Sequence, residues 1–544
     1  MKTQIIECVP NFSEGRDPEI INAIANAIRS TEGVSLLDID PGQSTNRTVY
    51  TFVGSPDAVV EGALNGARIA YKLIDMSKQK GEHPRLGALD VCPFIPVQGV
   101  DMDDCVQCSH KFAQKLSLEL KVPVFLYGFA AKQEYRQTVP QIRAGEYEGL
   151  SQKLTSPEWK PDYGPNEFIA RWGATMSGAR KFLIAYNVNL IATKEQSHRI
   201  ALNIREKGPN SGQHSQRLKA TQAMGWWLDE ANIAQVTVNI LDHEITPIHA
   251  VYEEVVTNAK QLKLPVTGSQ IVGLVPLKAI LEAAEYYIKK DDLFVLEEDQ
   301  KVHLAITRLG LNSLGPFVPN QRIIEYMLSD DKKGALVKKS VKEFVESVGA
   351  RTTAPGGGSV AANVGALGAA LAAMVGKMSY GKKVFEHNDR VMRRLIPPLH
   401  SSITEILALI DSDTNAYNDY VMALKLPHTT PEEVDARNEA IERGVKGAIA
   451  VPLNLARIVS QLWDNVKELA HVIHYPTKSD LQVGANCLKV GVLGAYYNVI
   501  TNVSDIKDEN YKRRIMTEIE SYKSLAEKSC EEVLKILDER DPHK

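Results

Sequence analysis

The pattern of apolar residues changes along this chain, and the change limits the folds that it can adopt. Before about residue 330, β-branched and aromatic runs alternate with stretches of helical periodicity, as in α/β domains. After about residue 340, nearly every stretch has helical periodicity. At 544 residues the chain is also too long for one hydrophobic core. We therefore expect a multidomain protein, with two α/β subdomains of the α+β sandwich type followed by an all-α helical bundle.

Local patterns set the expected elements and boundaries. Residues 1–181 and 182–327 are assigned to the two α/β subdomains, and 339–544 to the all-α domain. The segment 328–338 is polar and interrupted by glycine, which indicates a linker. Strands are expected at 34–40, 47–54, 89–97, 122–128, 181–192, 233–241 and 264–275. Helices in the last domain are expected at 342–347, 359–378, 389–424, 431–472, 480–501 and 509–537.

Composition excludes several classes of protein. The net charge of -4 is small for this length and gives no reason to expect a nucleic-acid partner. Six scattered cysteines, including the pair Cys105 and Cys108, indicate free thiols in a reducing compartment. The first residues lack the apolar run of a secretory signal, so we expect a cytoplasmic protein. The apolar segment 359–378 is rich in Ala and Gly, which favours a packed core helix over a membrane span.

Two loops of the first subdomain carry polar side chains suited to catalysis or binding. His83 lies in KGEHPRLGALD, where Pro84 favours an extended backbone, and an imidazole is a natural base near neutral pH. The chain has 13 histidines, however, and composition alone cannot select this one. Asp38, Asp40, Asn46 and Arg47 flank a turn between two strands. They could bind a small polar ligand, although turn chemistry explains the same residues equally well.

A glycine-bounded segment further along could bind a flat heterocycle. Its aromatic rings and backbone amides suit such a ligand, although a packed surface loop is an equally simple interpretation. The segment consists of Gly164, Pro165, Asn166, Glu167, Phe168, Ile169, Ala170, Arg171, Trp172 and Gly173.

In the helical part, APGGGSVAA (354–362) precedes an expected helix, with Ser359 available as the N-terminal cap. Amides at this helix start could hold a polar group, or the glycines could serve close packing. The run is not a dinucleotide fingerprint, because it follows no strand and lacks the spacing.

Asp411 and Asp413 stand two residues apart on an expected helix and so point to different faces. Asp413 falls on the apolar stripe that includes Ile406, Ile410 and Tyr417. Burying a carboxylate is costly, so Asp413 is expected to be either paired structurally or functional.

Taken together, these segments resemble the formimidoyltransferase-cyclodeaminase family over essentially the whole chain. The matching stretches include ECVPNFSEG, DPGQSTNRTVYTFVG, GEHPRLGALDVCPFIPV, YGPNEF, ATKEQSHRIALN, GSQIVGLVPL, APGGGSVAA and SDLQVGA. The resemblance implies a formiminotransferase in residues 1–327 and a cyclodeaminase in 339–544. It implies transfer of the formimino group from formiminoglutamate to tetrahydrofolate, then cyclisation to methenyltetrahydrofolate with loss of ammonia.

The same resemblance implies roles for individual residues. His83 corresponds to the catalytic base of GEHPR, Gly164–Gly173 to the folate-binding segment, and Asp413 to the catalytic second aspartate of the D-x-D pair. The chain departs from the family at Phe129, where YGFA replaces the common YGEA. If that acid contacts substrate, this substitution affects transferase affinity or rate.

The implied cofactor is tetrahydrofolate as co-substrate, with a polyglutamate tail, and neither metal, nicotinamide nor flavin is expected. The implied partners are small-molecule substrates and further copies of the chain, since the family forms an octameric ring. No membrane span is expected. The family's reactions belong to histidine degradation and one-carbon metabolism. Two alternatives stay open: a transferase with a structural helical domain, and a non-catalytic folate-binding or scaffold protein.

Overall fold

The computed structural model describes residues 4–43, 45–81, 84–206, 217–327, 335–506 and 508–540. The chain divides into two compact units, residues 1–329 and 330–544. The first unit contains two sheets with helices, and the second is built of helices in its described part. The expected fold class is therefore confirmed.

The first sheet of unit 1 has mixed topology. In spatial order its strands are β3, β4, the short strands β1 and β2, β5, β7 and β6. Strands β1 and β2 share one place in the sheet, because each pairs with β4 on one side and β5 on the other. Strand β7 runs parallel to both β5 and β6. The strands are β1 (Ile5–Cys8), β2 (Asn11–Phe12), β3 (Val34–Gly42), β4 (Arg47–Gly54), β5 (Leu89–Gln98), β6 (Val124–Gly128) and β7 (Thr175–Ala179). The helices are α1 (Pro18–Arg29), α2 (Pro56–Leu73), α3 (Met102–Leu120), α4 (Val139–Arg143) and α5 (Glu146–Lys153).

The second sheet of unit 1 is antiparallel, in the order β11, β8, β10, β9. Its strands are β8 (Ile184–Leu190), β9 (Thr221–Leu228), β10 (Ile233–Ile240) and β11 (Val266–Val272). Its helices are α6 (Lys194–Ile204), α7 (Ile248–Gln261), α8 (Leu277–Lys290), α9 (Glu298–Leu309), α10 (Pro319–Arg322) and α11 (Ile324–Met327). Each sheet buries a main apolar cluster against helices. A smaller cluster packs the first sheet against α4 and α5, and another joins Ile5 and Val53 to Leu274 and Ile324.

Unit 2 consists of α12 (Val341–Val348), α13 (Gly357–Ser379), α14 (Asp389–Leu424), α15 (Pro431–Ser460), α16 (Trp463–Val472), α17 (Lys478–Val503) and α18 (Glu509–Glu539). Capping boxes begin α12 at Ser340 and α15 at Thr430, each with a glutamate three residues on. Helix α13 is long and apolar enough to cross a membrane by length and composition, yet 61% of its most apolar window is buried inside the structure. It packs mainly against α14 and α17.

Most expected elements are present, and the differences have local causes. The expected helix 431–472 is two helices, α15 and α16, separated at Gln461 and Leu462. Neither Gly nor Pro lies at this break, and the helical period of apolar residues continues through it, so the sequence predicted a single helix. The expectation that Ser359 caps α13 is wrong: the cap is Gly356, and Ser359 lies inside the first turn.

Helices α13 and α17 approach so closely that side chains are excluded between them. A methyl group at Gly368 would lie 2.7 Å from the backbone nitrogen of Leu488 and 2.8 Å from the carbonyl oxygen of Gly484. A methyl group at Gly491 would lie 3.0 Å from Cα of Gly365. The glycines of both helices are therefore required by the packing.

Replacing Gly368 with valine should destabilise unit 2, because the side chain would meet backbone atoms that cannot move independently. We expect a loss of about 1–3 kcal/mol or more in the free energy of unfolding, measured by urea denaturation with helical circular dichroism. Gly447→Ala is the matched control, since no atom lies within 4 Å of its added methyl group. The control should gain about 0.5–1 kcal/mol. Equal midpoints for Gly368→Val and wild type would contradict the packing argument.

Candidate active sites

The loop between β3 and β4 is held against the segment that leads to His83. The Asn46 side chain accepts a hydrogen bond from the Gly15 amide (3.0 Å) and donates to the Lys80 carbonyl (3.0 Å). Gln79 donates to the Asn46 carbonyl at 2.9 Å. A methyl group at Gly81 would lie 2.2 Å from the Thr45 carbonyl oxygen, so only glycine permits this contact.

The residues that follow His83 are anchored by Arg85. Its guanidinium donates to Glu148 at 2.6 and 2.8 Å and to the Gln79 side chain at 2.8 Å. The two bonds to Glu148 form a bidentate pair that fixes the arginine's orientation. These contacts lower the pKa of the Glu148 carboxyl, chiefly through the hydrogen bond from Arg85. Glu82 and His83 themselves lie outside the described residues.

Arg47 belongs to a different network, around the buried Asp90. Asp90 pairs with Arg143 at 2.6 Å and with Arg47 at 3.7 Å, and accepts the Leu86 amide at 2.8 Å. Arg47 also donates through Nε to the Asn11 side chain at 2.8 Å. Burial lowers the pKa of Arg47 to about 10. Because the guanidinium of Arg47 on β4 contacts Asn11 on β2 and Asp90 on β5, it links three strands.

Asp38 and Asp40 lie on β3, which pairs with β4 at one edge of the sheet. Asp38 is half-buried, and burial raises the pKa of its carboxyl. Asp40 is exposed. The structure therefore places the four polar residues expected at this turn in separate surroundings, with Asn46 alone beside the segment that leads to His83.

The segment from Gly164 to Gly173 combines an exposed half with an anchored half. Asn166, Glu167 and Phe168 are exposed, and the Phe168 ring lies 5.4 Å from that of Tyr147. Trp172 is fully buried and donates through its ring nitrogen to the Thr175 hydroxyl at 3.0 Å. Its ring thus belongs to the core, whereas Asn166, Glu167 and Phe168 are exposed to solvent.

A cavity of about 370 Å³ joins parts of these segments. Asn46 lies on one side, Gln79 and Lys78 come from the segment before His83, and Arg171 comes from the glycine-bounded loop. Arg171 is held by a bond of 2.6 Å to the Lys72 carbonyl. The remaining lining residues were not anticipated from the sequence: Ser13, Glu14, Leu73, Ile74 and Asp75. The stretch ECVPNFSEG, which carries two of them, was the available signal.

In unit 2, the Asp413 carboxyl lies against the glycine-rich start of α13. A methyl group at Gly358 would lie 2.0 Å from Oδ1 of Asp413, so the glycine makes room for the carboxyl. The Ser359 hydroxyl donates to Oδ2 at 3.0 Å and also lies 2.9 Å from the Ile410 carbonyl. Burial raises the pKa of Asp413, and the hydrogen bonds from the Ser359 hydroxyl and amide oppose that rise.

Asp411, the other member of the pair, has a structural role. Its carboxyl accepts the backbone amides of Leu336 (2.9 Å) and Val337 (3.3 Å), which lie at the end of the expected linker 328–338. Asp411 thus fastens the chain entering unit 2, while Asp413 faces α13. The two carboxylates point apart, as their helical spacing predicts.

The described residues contain no group of three or more His, Cys, Asp or Glu side chains that could hold a metal ion. Phe129, the substituted position, is an exposed residue after β6.

Comparison with known proteins gives family matches along most of the chain. The model for the N-terminal subdomain of the formiminotransferase domain matches residues 5–180, the formiminotransferase domain model matches 185–329, and the formiminotransferase-cyclodeaminase model matches 340–521. A formimidoyltransferase-cyclodeaminase from Gallus gallus is 56% identical over 540 residues, which are 99% of both chains.

Two shorter relatives each match part of the chain. A glutamate formimidoyltransferase from Streptococcus pyogenes is 37% identical over 302 residues, 55% of this chain and 99% of the relative. A methenyltetrahydrofolate cyclohydrolase from Methylorubrum extorquens is 27% identical over 182 residues, 34% of this chain and 88% of the relative.

Proposed function

The chain belongs to the formimidoyltransferase-cyclodeaminase family, and on that basis we propose which residues carry its two reactions. It is a bifunctional enzyme. It transfers the formimino group from N-formimino-L-glutamate to tetrahydrofolate, and it cyclises 5-formiminotetrahydrofolate to 5,10-methenyltetrahydrofolate with release of ammonia. Our assignment of residues rests on one observation in each unit.

For the transfer step, the proposed base is His83. It takes the proton from the pteridine nitrogen as that nitrogen attacks the formimino carbon, and glutamate leaves with its amino group protonated. The supporting observation is the cavity lined by Asn46, Gln79 and Arg171, because it joins the segment before His83 to the proposed folate-binding loop. Its lining carries two cations, Lys78 and Arg171, and two carboxylates, Glu14 and Asp75, which suits a substrate that carries both an amidine and carboxylates.

For the cyclisation step, the proposed acid–base group is Asp413. The second folate nitrogen attacks the formimino carbon and loses a proton, while the terminal nitrogen gains a proton and departs as ammonia. A carboxyl whose pKa is raised by burial can hold a proton nearer neutral pH than an exposed one. The supporting observation is the place of Asp413 against the glycines that begin α13, where Gly358 leaves room for the carboxyl and Ser359 donates a hydrogen bond to it.

The proposal includes assembly into a homo-oligomer through unit 2. Two neighbouring helices carry exposed apolar residues at heptad spacing: Leu367 and Met374 on α13, and Val483, Val490 and Tyr497 on α17. Two copies of such a face can pack against each other, so that the contact between the two chains consists of four helices.

The proposal also places the enzyme in the cytoplasm, in histidine degradation, with a polyglutamylated folate as co-substrate. Its six free cysteines suit a reducing compartment, since the buried thiols of Cys8 and Cys92 lie 3.7 Å apart unbonded. Cell fractionation and a comparison of folates with different tail lengths would check these points.

The residue assignments are tested by following methenyltetrahydrofolate spectroscopically. His83→Ala should form no product from formiminoglutamate, yet it should still convert supplied 5-formiminotetrahydrofolate. Asp413→Asn should accumulate that intermediate, with the cyclisation rate reduced at least about a hundredfold. Full cyclisation by Asp413→Asn would refute the proposed role of this carboxyl.

The pH dependence of cyclisation should respond to Ser359. Its hydroxyl favours the ionised form of Asp413, so Ser359→Ala should raise the pKa of the carboxyl. The limb of the kcat–pH profile due to Asp413 should then move to higher pH. Ser402→Ala is the matched control, because this buried hydroxyl on α14 bonds only to the Leu399 carbonyl, at 2.9 Å, among the described residues. A profile that moves equally in both variants would count against the assignment.

Oligomer formation should depend on the α13–α17 face. Val490→Glu places a charge at its centre and should shift the mass measured by light scattering toward smaller species. Leu525→Glu provides the control, since this exposed leucine lies on α18, outside the face. An unchanged mass for Val490→Glu would exclude this face as the contact.

A further inference from the structure

A second polar side chain lies beside the glycines that Asp413 contacts. A methyl group at Gly357 would lie 3.5 Å from Nδ2 and 4.0 Å from Oδ1 of Asn498, on α17. The neighbouring Gly358 approaches Asp413 more closely, since a methyl group there would lie 2.0 Å from Oδ1, whereas the distances to Asn498 are those of ordinary van der Waals contact. Two consecutive glycines are therefore flanked by a carboxyl from α14 and a carboxamide from α17.

The position of Asn498 is fixed by its own helix. Its Nδ2 donates to the Gly494 carbonyl at 2.8 Å, one turn earlier. At Gly494 the two helices approach closely, because an added methyl group would lie 2.6 Å from Cβ of Ala361 on α13. One hydrogen of the Asn498 carboxamide is thus used in this bond. Within the described part of the chain, Oδ1 of Asn498 accepts no hydrogen bond.

The chemistry of cyclisation requires acceptors at this place. The formimino nitrogen carries N–H groups and becomes more basic as the second folate nitrogen attacks the carbon. The start of α13 carries partial positive charge, which disfavours a developing ammonium unless acceptor oxygens face it. Asp413 provides one acceptor on the Gly358 side, and Oδ1 of Asn498 provides another on the Gly357 side.

We propose that Asn498 binds the departing nitrogen of the formimino group, with Oδ1 accepting its N–H while Asp413 supplies its proton. The inference rests on the proposed role of Asp413. The carboxamide is neutral, so it orients the leaving group without adding a second negative charge beside Asp413.

The test measures cyclisation of supplied 5-formiminotetrahydrofolate by the full chain. Asn498→Ala should lower kcat/KM by about ten- to a hundredfold, mainly through kcat, because the bond strengthens as the nitrogen departs. Asn498→Asp keeps an acceptor oxygen and should retain more activity than the alanine variant. Transfer from formiminoglutamate should be unchanged in both.

Asn486 provides a matched control on the same helix. Its Nδ2 donates to the Gln482 carbonyl at 2.9 Å, which repeats the internal bond of Asn498 away from Asp413. Asn486→Ala should therefore keep full cyclisation activity. If circular dichroism shows that Asn498→Ala does not fold, the near-isosteric Asn498→Leu replaces it.

The outcomes separate the two hypotheses. If Asp413→Asn is inactive while Asn498→Ala stays within twofold of wild type, the role of Asn498 is refuted and that of Asp413 stands. Equal losses in Asn486→Ala and Asn498→Ala would also refute it, since they would reflect the helix alone. An active Asp413→Asn would refute the proposed site itself.

Discussion

The contact between the Asp413 carboxyl and the glycines at the start of α13 determines how unit 2 is arranged. Any side chain at Gly358 would occupy the place of Oδ1, so the sequence must provide glycine where α13 begins. The same helix then needs glycine at Gly365 and Gly368 to approach α17. Because three helices converge on one short turn, a carboxyl from α14 and a carboxamide from α17 come to flank the same two residues.

Unit 1 solves the same positioning problem with ion pairs. Asp90 lies on β5 and Arg85 lies four residues before this strand, and each side chain joins segments that are distant in sequence. Arg85 connects the segment after His83 to α5, while Asp90 connects β5 to Arg47 on β4 and Arg143 on α4. The pairs of Asp90 are buried, so removing one of their partners would leave an unpaired charge, whereas Glu148 is exposed and its bidentate pair with Arg85 mainly fixes the arginine's orientation.

Sequence reasoning predicted the elements well where periodicity was long, and it predicted that the Asp413 carboxyl turns inward because a carboxylate on an apolar stripe violates the pattern. It failed where the outcome depended on tertiary contacts. Ser359 resembled a helix cap, yet its hydroxyl bonds to Asp413, 54 residues away. Trp172 resembled a ligand-stacking residue and is a core residue instead. Gln79 carried no local signal, and Glu14 lay in the matching stretch ECVPNFSEG without an assigned role, since only the folding of β1, β2 and the loop after α2 brings them to one cavity. The sequence likewise gave no reason to select Asn498, because the apolar period of α17 predicts only helix packing.

The raised pKa of Asp413 opposes stability, and the role proposed for this carboxyl in cyclisation gives a reason for the cost. A carboxyl whose pKa is higher in the folded than in the unfolded chain binds its proton more tightly when folded. The free energy of unfolding therefore falls as the pH rises from the pKa of Asp413 in the unfolded chain to its pKa in the folded chain. Above the folded pKa the full destabilisation is present. The Ser359 hydroxyl and amide reduce this penalty by favouring the ionised form. The pKa of the carboxyl is therefore raised less than burial alone would raise it, and a raised pKa suits the proposed role, in which Asp413 gives and takes a proton.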